Sequence, residues 1–221
     1  NMLSDYRRNS FLADGGSFDF FLDVTNIDTD FVPEVTLDGK GGEPFWKNAP
    51  AERIGQSADE SLRYVKDAPA WRGFKDLSAT WTAAWDDANL YLLVEVPDDV
   101  YRAPISGSGL WNQDGLQFLF DPMRTSSEKA GKYDYGCGVT PAGPETFCYL
   151  TAHSSVSEGR APWKLAEQRL AGGSRRYEVA IPWTSLAPFK PGKGANLGLS
   201  MILNALFPAI SIGTLVFIIN A

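Results

Sequence analysis

Leu90, Leu92, Val94 and Val96 take every second position of one short stretch, with Tyr91, Leu93 and Glu95 between them. A period of two is the signature of a strand with one face buried. Upstream, Trp81, Ala83 and Trp85 share a face, and Asp86-Asp87-Ala88-Asn89 turns the chain. Downstream, Leu116, Phe118 and Phe120 form another inward row, with Gln117 and Leu119 facing outward. Residues 133–139 and 145–151 flank Thr140-Pro141-Ala142-Gly143-Pro144, which reads as a hairpin. Tyr177, Val179 and Ile181 alternate up to Pro182-Trp183, Leu197, Leu199, Met201 and Leu203 alternate again, and Leu215–Ile218 closes the set. Near the start, Phe18, Phe20, Leu22 and Val24 predict one more strand. Residues 51–77 have loop composition, and Leu165–Leu170 suits a short helical turn. Roughly nine or ten short strands separated by turns predict an all-β chain, a two-sheet antiparallel β-sandwich. Residues 35–221 make that sandwich, and residues 1–34 read as an N-terminal extension or the end of a preceding domain.

Composition narrows the partners. The 21 Gly and 14 Pro supply the punctuation that many short strands need. A net charge of −7 repels phosphate backbones and argues against nucleic acid, whereas neutral glycans are indifferent to it. Residues 205–221 are uncharged, but Pro208, Gly213 and Asn220 interrupt them, so they predict a buried last strand rather than a membrane span. Seven Trp exceed what a core of this size needs. Trp46, Trp81, Trp85 and Trp183 stand at inward or strand-end positions and read as core. Trp111, after Gly107-Ser108-Gly109, and Trp71 stand in loops, where an aromatic plane can meet a sugar face.

Four blocks carry a resemblance. They are Asp38-Gly39 with Trp46-Lys47-Asn48-Ala49; Trp85-Asp86-Asp87-Ala88-Asn89-Leu90-Tyr91-Leu92 through Val96 and Asp98; Trp111 with Asp114-Gly115-Leu116-Gln117-Phe118-Leu119-Phe120-Asp121-Pro122; and Tyr177–Trp183 with Gly198-Leu199 and Asn204. In order and spacing they resemble the family 9 carbohydrate-binding modules, sandwiches of the wider DOMON-like group. The resemblance covers about Val35–Phe217. It implies a secreted, non-catalytic module appended to polysaccharide-degrading enzymes, which clamps a glucan or xylan between two Trp and often carries calcium. Trp111 matches one clamp Trp, Gln117 a sugar-binding Glu, and Asn204 an Asn before the last long loop. The departures are specific. Residues 205–211 hold no second Trp, and Gly136 and Gly138 stand where polar sugar-binding residues are expected.

The residues themselves add detail. A sugar site needs an aromatic plane beside planar polar groups. Gln117, Glu95 and Tyr91 all face away from the inferred core, and on neighbouring strands they would make one polar patch beside Trp111. Trp71 is the candidate second plane. Asp98, Asp114 and Asp121 flank strand ends and are the candidate ligands of a structural calcium, with solvated turn acids as the alternative. His153 is the only His and no Ser or Cys motif accompanies it, so no catalytic residues are assigned. Cys137 and Cys148 are equidistant from a turn centred on Ala142-Gly143. Facing residues of a hairpin lie within disulfide reach, so a bridge is expected, with two buried thiols as the alternative. The function expected is polysaccharide binding within a multimodular extracellular protein. A structural spacer that has lost its sugar site is the second reading, and a glycoside-active enzyme the third.

Overall fold

The computed structural model describes residues 25–26, 35–47, 49–54, 63–65, 77–98, 100–123, 131–192, 194–206 and 212–217. In chain order its strands are β1 (Thr25–Asn26), β2 (Ala51–Ile54), β3 (Arg63–Val65), β4 (Ala79–Trp85), β5 (Asn89–Val96), β6 (Gly115–Asp121), β7 (Tyr133–Thr140), β8 (Gly143–Leu150), β9 (Gly159–Arg160), β10 (Lys164–Arg169), β11 (Arg175–Pro182), β12 (Gly198–Leu206) and β13 (Ile212–Phe217). Among the described residues these form two sheets. The first runs β1-β4-β5-β11-β10, with β2 also on β4; the second runs β3-β13-β12-β6-β7-β8-β9. All pairings are antiparallel except β1 on β4.

The alternating rows pack between the sheets. Leu90, Leu92, Val94 and Val96 from one sheet and Leu116, Phe118 and Phe120 from the other are all buried in one core. Each large side chain removed from water there contributes about 1.5–3 kcal/mol. Trp163 lies at the centre of this core, its ring centroid 4.4 Å from Tyr135 and 6.1 Å from both Phe118 and Phe120. The turn between β4 and β5 is closed by Asp86, whose Oδ1 accepts from the backbone N–H of Ala88 (2.8 Å) and Asn89 (2.7 Å).

A second, smaller apolar cluster lies on the outer face of the first sheet. Trp46 packs there with Ala84, Tyr91 and Ala180, alongside Val35, Leu37 and Phe45. Glu178, buried on β11, fastens this covering segment by accepting from the N–H groups of Asp38 (3.0 Å), Gly39 (2.6 Å) and Gly41 (2.9 Å). Gly39 has φ +81°, and a Cβ there would lie 2.7 Å from the carbonyl carbon of Glu167. The Asp38-Gly39 pair is therefore a docking turn that only glycine can make.

Several expectations change. Leu165–Leu170 is mostly strand, not helical turn, because β10 adds six paired residues to the edge of β11. A lone helix that short cannot offset its nucleation cost, and a free strand edge offers a full ladder. Residues 51–54 and 63–65, too polar to predict as strands, pair with β4 and β13. Thr25–Asn26 adds to the first sheet as an edge strand; the predicted strand at Phe18–Val24 lies outside the described residues.

The expected disulfide is corrected as well. The hairpin turns on Pro141-Ala142 alone, with Thr140 opposite Gly143. Thr140 Oγ1 tightens that turn, donating to the Gly143 carbonyl (3.1 Å) and accepting from the Ala142 N–H (3.2 Å). Cys137 consequently faces Thr146, and Cys148 faces Tyr135. The two cysteines are diagonal neighbours, a separation of about 7–8 Å in a regular ladder, beyond what a disulfide spans. Both are buried free thiols, and the Cys148 thiol donates to the Leu150 carbonyl at 3.4 Å.

Candidate functional site

The outer face of the second sheet carries the polar side chains that the core rows leave over. Gln117 on β6, Asp134 on β7 and Asn204 on β12 converge there. Gln117 Nε2 donates to Asp134 Oδ1 (2.7 Å), and Asn204 Nδ2 donates to Gln117 Oε1 (3.4 Å). The three side chains are well shielded, with exposures of 4%, 0% and 4% for Gln117, Asp134 and Asn204. The sequence pointed to Gln117 and Asn204. It missed Asp134, although that residue sits on the outward side of the Tyr133–Val139 alternation.

Gly136 and Gly138 are next to this group, and the first of them has a steric reason. A Cβ on Gly136 would lie 2.6 Å from the hydroxyl of Tyr149, whose ring crosses the strand at that point. At Gly138 a Cβ would sit at ordinary contact distance from the Tyr101 hydroxyl and the Asp114 carbonyl, 3.7 Å and 3.5 Å away, so a small side chain has room there. Gly136 alone of the two is a seat for an aromatic ring.

That loop carries Trp111 in a 3-10 turn, Gly107–Asn112, packed on β6, β7 and β8. Trp111 is half-buried. Four anchors hold the loop. Glu145, buried on β8, accepts from Ser106 Oγ (2.5 Å) and from the Gly107 N–H (2.9 Å). Gln113 Oε1 accepts from the Ile105 N–H at 2.5 Å. The Asp114 carboxylate accepts from the Arg102 N–H, and the Asp114 N–H donates to the Arg102 carbonyl (3.0 Å). The Tyr101 hydroxyl donates to the Val139 carbonyl (3.1 Å) and accepts from its N–H (2.9 Å). Behind it, the guanidinium of Arg175, paired with Glu167, lies 3.5 Å from the Tyr101 ring centre.

Tyr149 joins loop and sheet. Its hydroxyl faces the Trp111 backbone, and burial pushes its pKa well above the usual range, the charges of Asp134 and Glu145 adding to the effect. Its ring lies beside that of Phe147, with centroids 5.2 Å apart. Glu145, Phe147 and Tyr149 were not singled out in the sequence. Their signal was the outward row 145, 147, 149, legible once the hairpin register is known.

Other expected site residues lie elsewhere. Tyr91 and Glu95 are on β5, in the first sheet, so their outward faces point to the opposite side of the sandwich from Gln117. The Tyr91 hydroxyl donates to Asp86 Oδ2 (2.8 Å), and Glu95 pairs with Arg176 through a 2.7 Å hydrogen bond. Outwardness is shared by both sheets, and strand alternation does not say which sheet a strand joins. Trp71 lies outside the described residues.

The three acids expected to hold calcium do not converge. Asp114 and Asp121 bound opposite ends of β6, about 23 Å apart at 3.3 Å per residue. Asp98 caps the Val100 N–H at 3.1 Å, and Asp114 is engaged by the Arg102 backbone. Among the described residues no three acidic, His or Cys side chains gather as a cation would require.

Comparison with known proteins settles the family. The family model for the carbohydrate family 9 binding domain-like proteins matches residues 37–206, most of the chain. The chain belongs to that family. No curated protein matches it. Among solved structures, this family 9 chain is similar to a carbohydrate-binding module from Caldicellulosiruptor kristjanssonii. In the module's complex with glucose, identity is 19%, coverage is 88% of this chain and 83% of that one, and the TM-score is 0.58. In its complex with cellotriose the values are 17%, 88%, 82% and 0.59. A protein of Bacteroides uniformis ATCC 8492 is similar at 15% identity, covering 88% of this chain and 87% of that one with a TM-score of 0.57. At these identities the shared property is the sandwich fold.

Proposed function

We propose that this family 9 domain is a non-catalytic module that binds a neutral glucan- or xylan-like polysaccharide. In this reading it serves an extracellular polysaccharide-active protein. The observation that carries the reading is the Gln117–Asp134–Asn204 network on one sheet face, with the 3-10 turn that bears the half-buried Trp111 packed on the same strands. Aromatic area beside planar amide and carboxylate groups is what sugar recognition uses. The glucose and cellotriose held by the similar Caldicellulosiruptor module support a glucan as the first ligand to try.

Calorimetry and affinity electrophoresis against soluble glucans and xylans test it. Binding that falls on Trp111→Ala, in a variant that melts like the parent, is the expected result. The absence of binding to every glycan would leave the second reading, a structural spacer. The burial of Gln117, Asp134 and Asn204 favours that alternative, because their hydrogen-bonding capacity is already directed at one another.

A further inference from the structure

The rings of Phe147 and Tyr149 belong to neither apolar cluster. They stand at positions i and i+2 of β8 and so share its outward face. Both are half-buried, whereas Thr146 and Cys148, which alternate with them, are turned inward and buried. The core between the sheets therefore does not account for these two rings, although the Tyr149 ring also fills the place of a side chain at Gly136.

Their surroundings suit a sugar. Phe147 stands opposite Gly136, over which the Tyr149 ring lies, so the two rings continue one another along the sheet. On its other side Phe147 faces Arg160 of the two-residue edge strand β9. The Arg160 side chain is 77% exposed and reaches Glu145 at only 3.4 Å, leaving its fork of N–H donors largely open to solvent. The Trp111 loop packs on the same strand, β8.

We infer that Phe147 and Tyr149 form a second aromatic surface of the sugar site, and that it receives an internal stretch of a neutral, equatorially substituted glycan chain. The inference rests on the sugar-binding reading above. A clamp that grips one terminal sugar needs two planes facing each other. These rings lie side by side, 5.2 Å apart with planes tilted by 39°, and so form a shelf rather than a slot. A shelf takes neighbouring sugar units in succession. Pyranoses with equatorial hydroxyls present the flat C–H face that stacks on such rings.

Calorimetry with mono- to hexasaccharides of the glucan and xylan series and with their borohydride-reduced forms tests the inference on the unmodified protein. Affinity is expected to rise with chain length and to be indifferent to end reduction. Phe147→Ala and Tyr149→Leu are each expected to weaken binding about tenfold, or about 1.4 kcal/mol, while Tyr149→Phe retains most of it. A monosaccharide bound as tightly as a hexasaccharide, or binding abolished by end reduction, would overturn the inference whatever the variants do. Glycan binding untouched by both ring variants would overturn it while leaving the sugar-binding reading intact. A parent protein that binds no glycan overturns both.

Discussion

Glu145 is the side chain on which the Trp111 loop most depends. In Glu145→Ala, two hydrogen bonds to a charged acceptor vanish, one from Ser106 Oγ at 2.5 Å and one from the Gly107 N–H at 2.9 Å. Hydrogen bonds to charged groups contribute about 1.5–3 kcal/mol each. The ion pair with Arg160 adds at most a few tenths, being long at 3.4 Å and having a solvated partner. Against these losses stands relief from the cost of burying a carboxylate. The balance is a destabilisation of about 3 kcal/mol, which lowers the melting temperature of a chain this size by roughly 6–12 °C. Glu145→Gln keeps an oxygen for the Gly107 N–H, and the Ser106 hydroxyl can turn to accept from the new amide, so its cost is about 1 kcal/mol. Urea unfolding followed by circular dichroism gives both values, and glycan affinity should fall in the same order because Trp111 is released. An alanine variant within about 0.5 kcal/mol of the parent would refute the account of how this loop is held.

Three further outcomes follow from the geometry. Gly39→Ala combines a left-handed backbone with a Cβ pressed against the β10 backbone and should cost about 2–4 kcal/mol; Gly172→Ala, at φ +73° but in open space, should cost only about 1–2 kcal/mol in parallel thermal melts. Burial pushes the Cys148 thiol up to about 11 from its ordinary value of 9.0, and Cys137 higher still. The folded state thus keeps its proton longer than the unfolded chain, so this part of the stability is complete below pH 9 and lost as pH rises toward 11; a thiol reagent should find no reactive cysteine in the folded protein and two after unfolding without reductant. Asp98, Asp114 and Asp121 stand at separate strand ends and cannot share one cation, so Asp121→Asn should leave any response of the melting temperature to chelator or calcium unchanged; a response lost in that variant would show that Asp121 holds a cation.

The period-two rows of β4, β5, β6, β11 and β12 were legible in the sequence because a pleated strand puts alternate residues on opposite faces, and burial of one face selects apolar residues at every second position. That rule identified the seven core residues and the outward position of Gln117. The family blocks pointed to Trp111 and Asn204, and Asn204 does meet Gln117 in the folded chain. Alternation carries no record of which sheet a strand joins. Only the assembled sandwich separated Tyr91 and Glu95 from Gln117. A two-residue difference in the turn decided whether Cys137 meets Cys148 or Thr146, because every pairing in a hairpin inherits its register from the turn. β10 became a strand because β11 had an open edge, a fact external to its own sequence. The acids show the same division. Asp114, Asp134, Glu145 and Glu178 look alike as letters in an acidic chain. Each acquires its role from backbone N–H groups or side chains that are distant along the chain and adjacent only after folding.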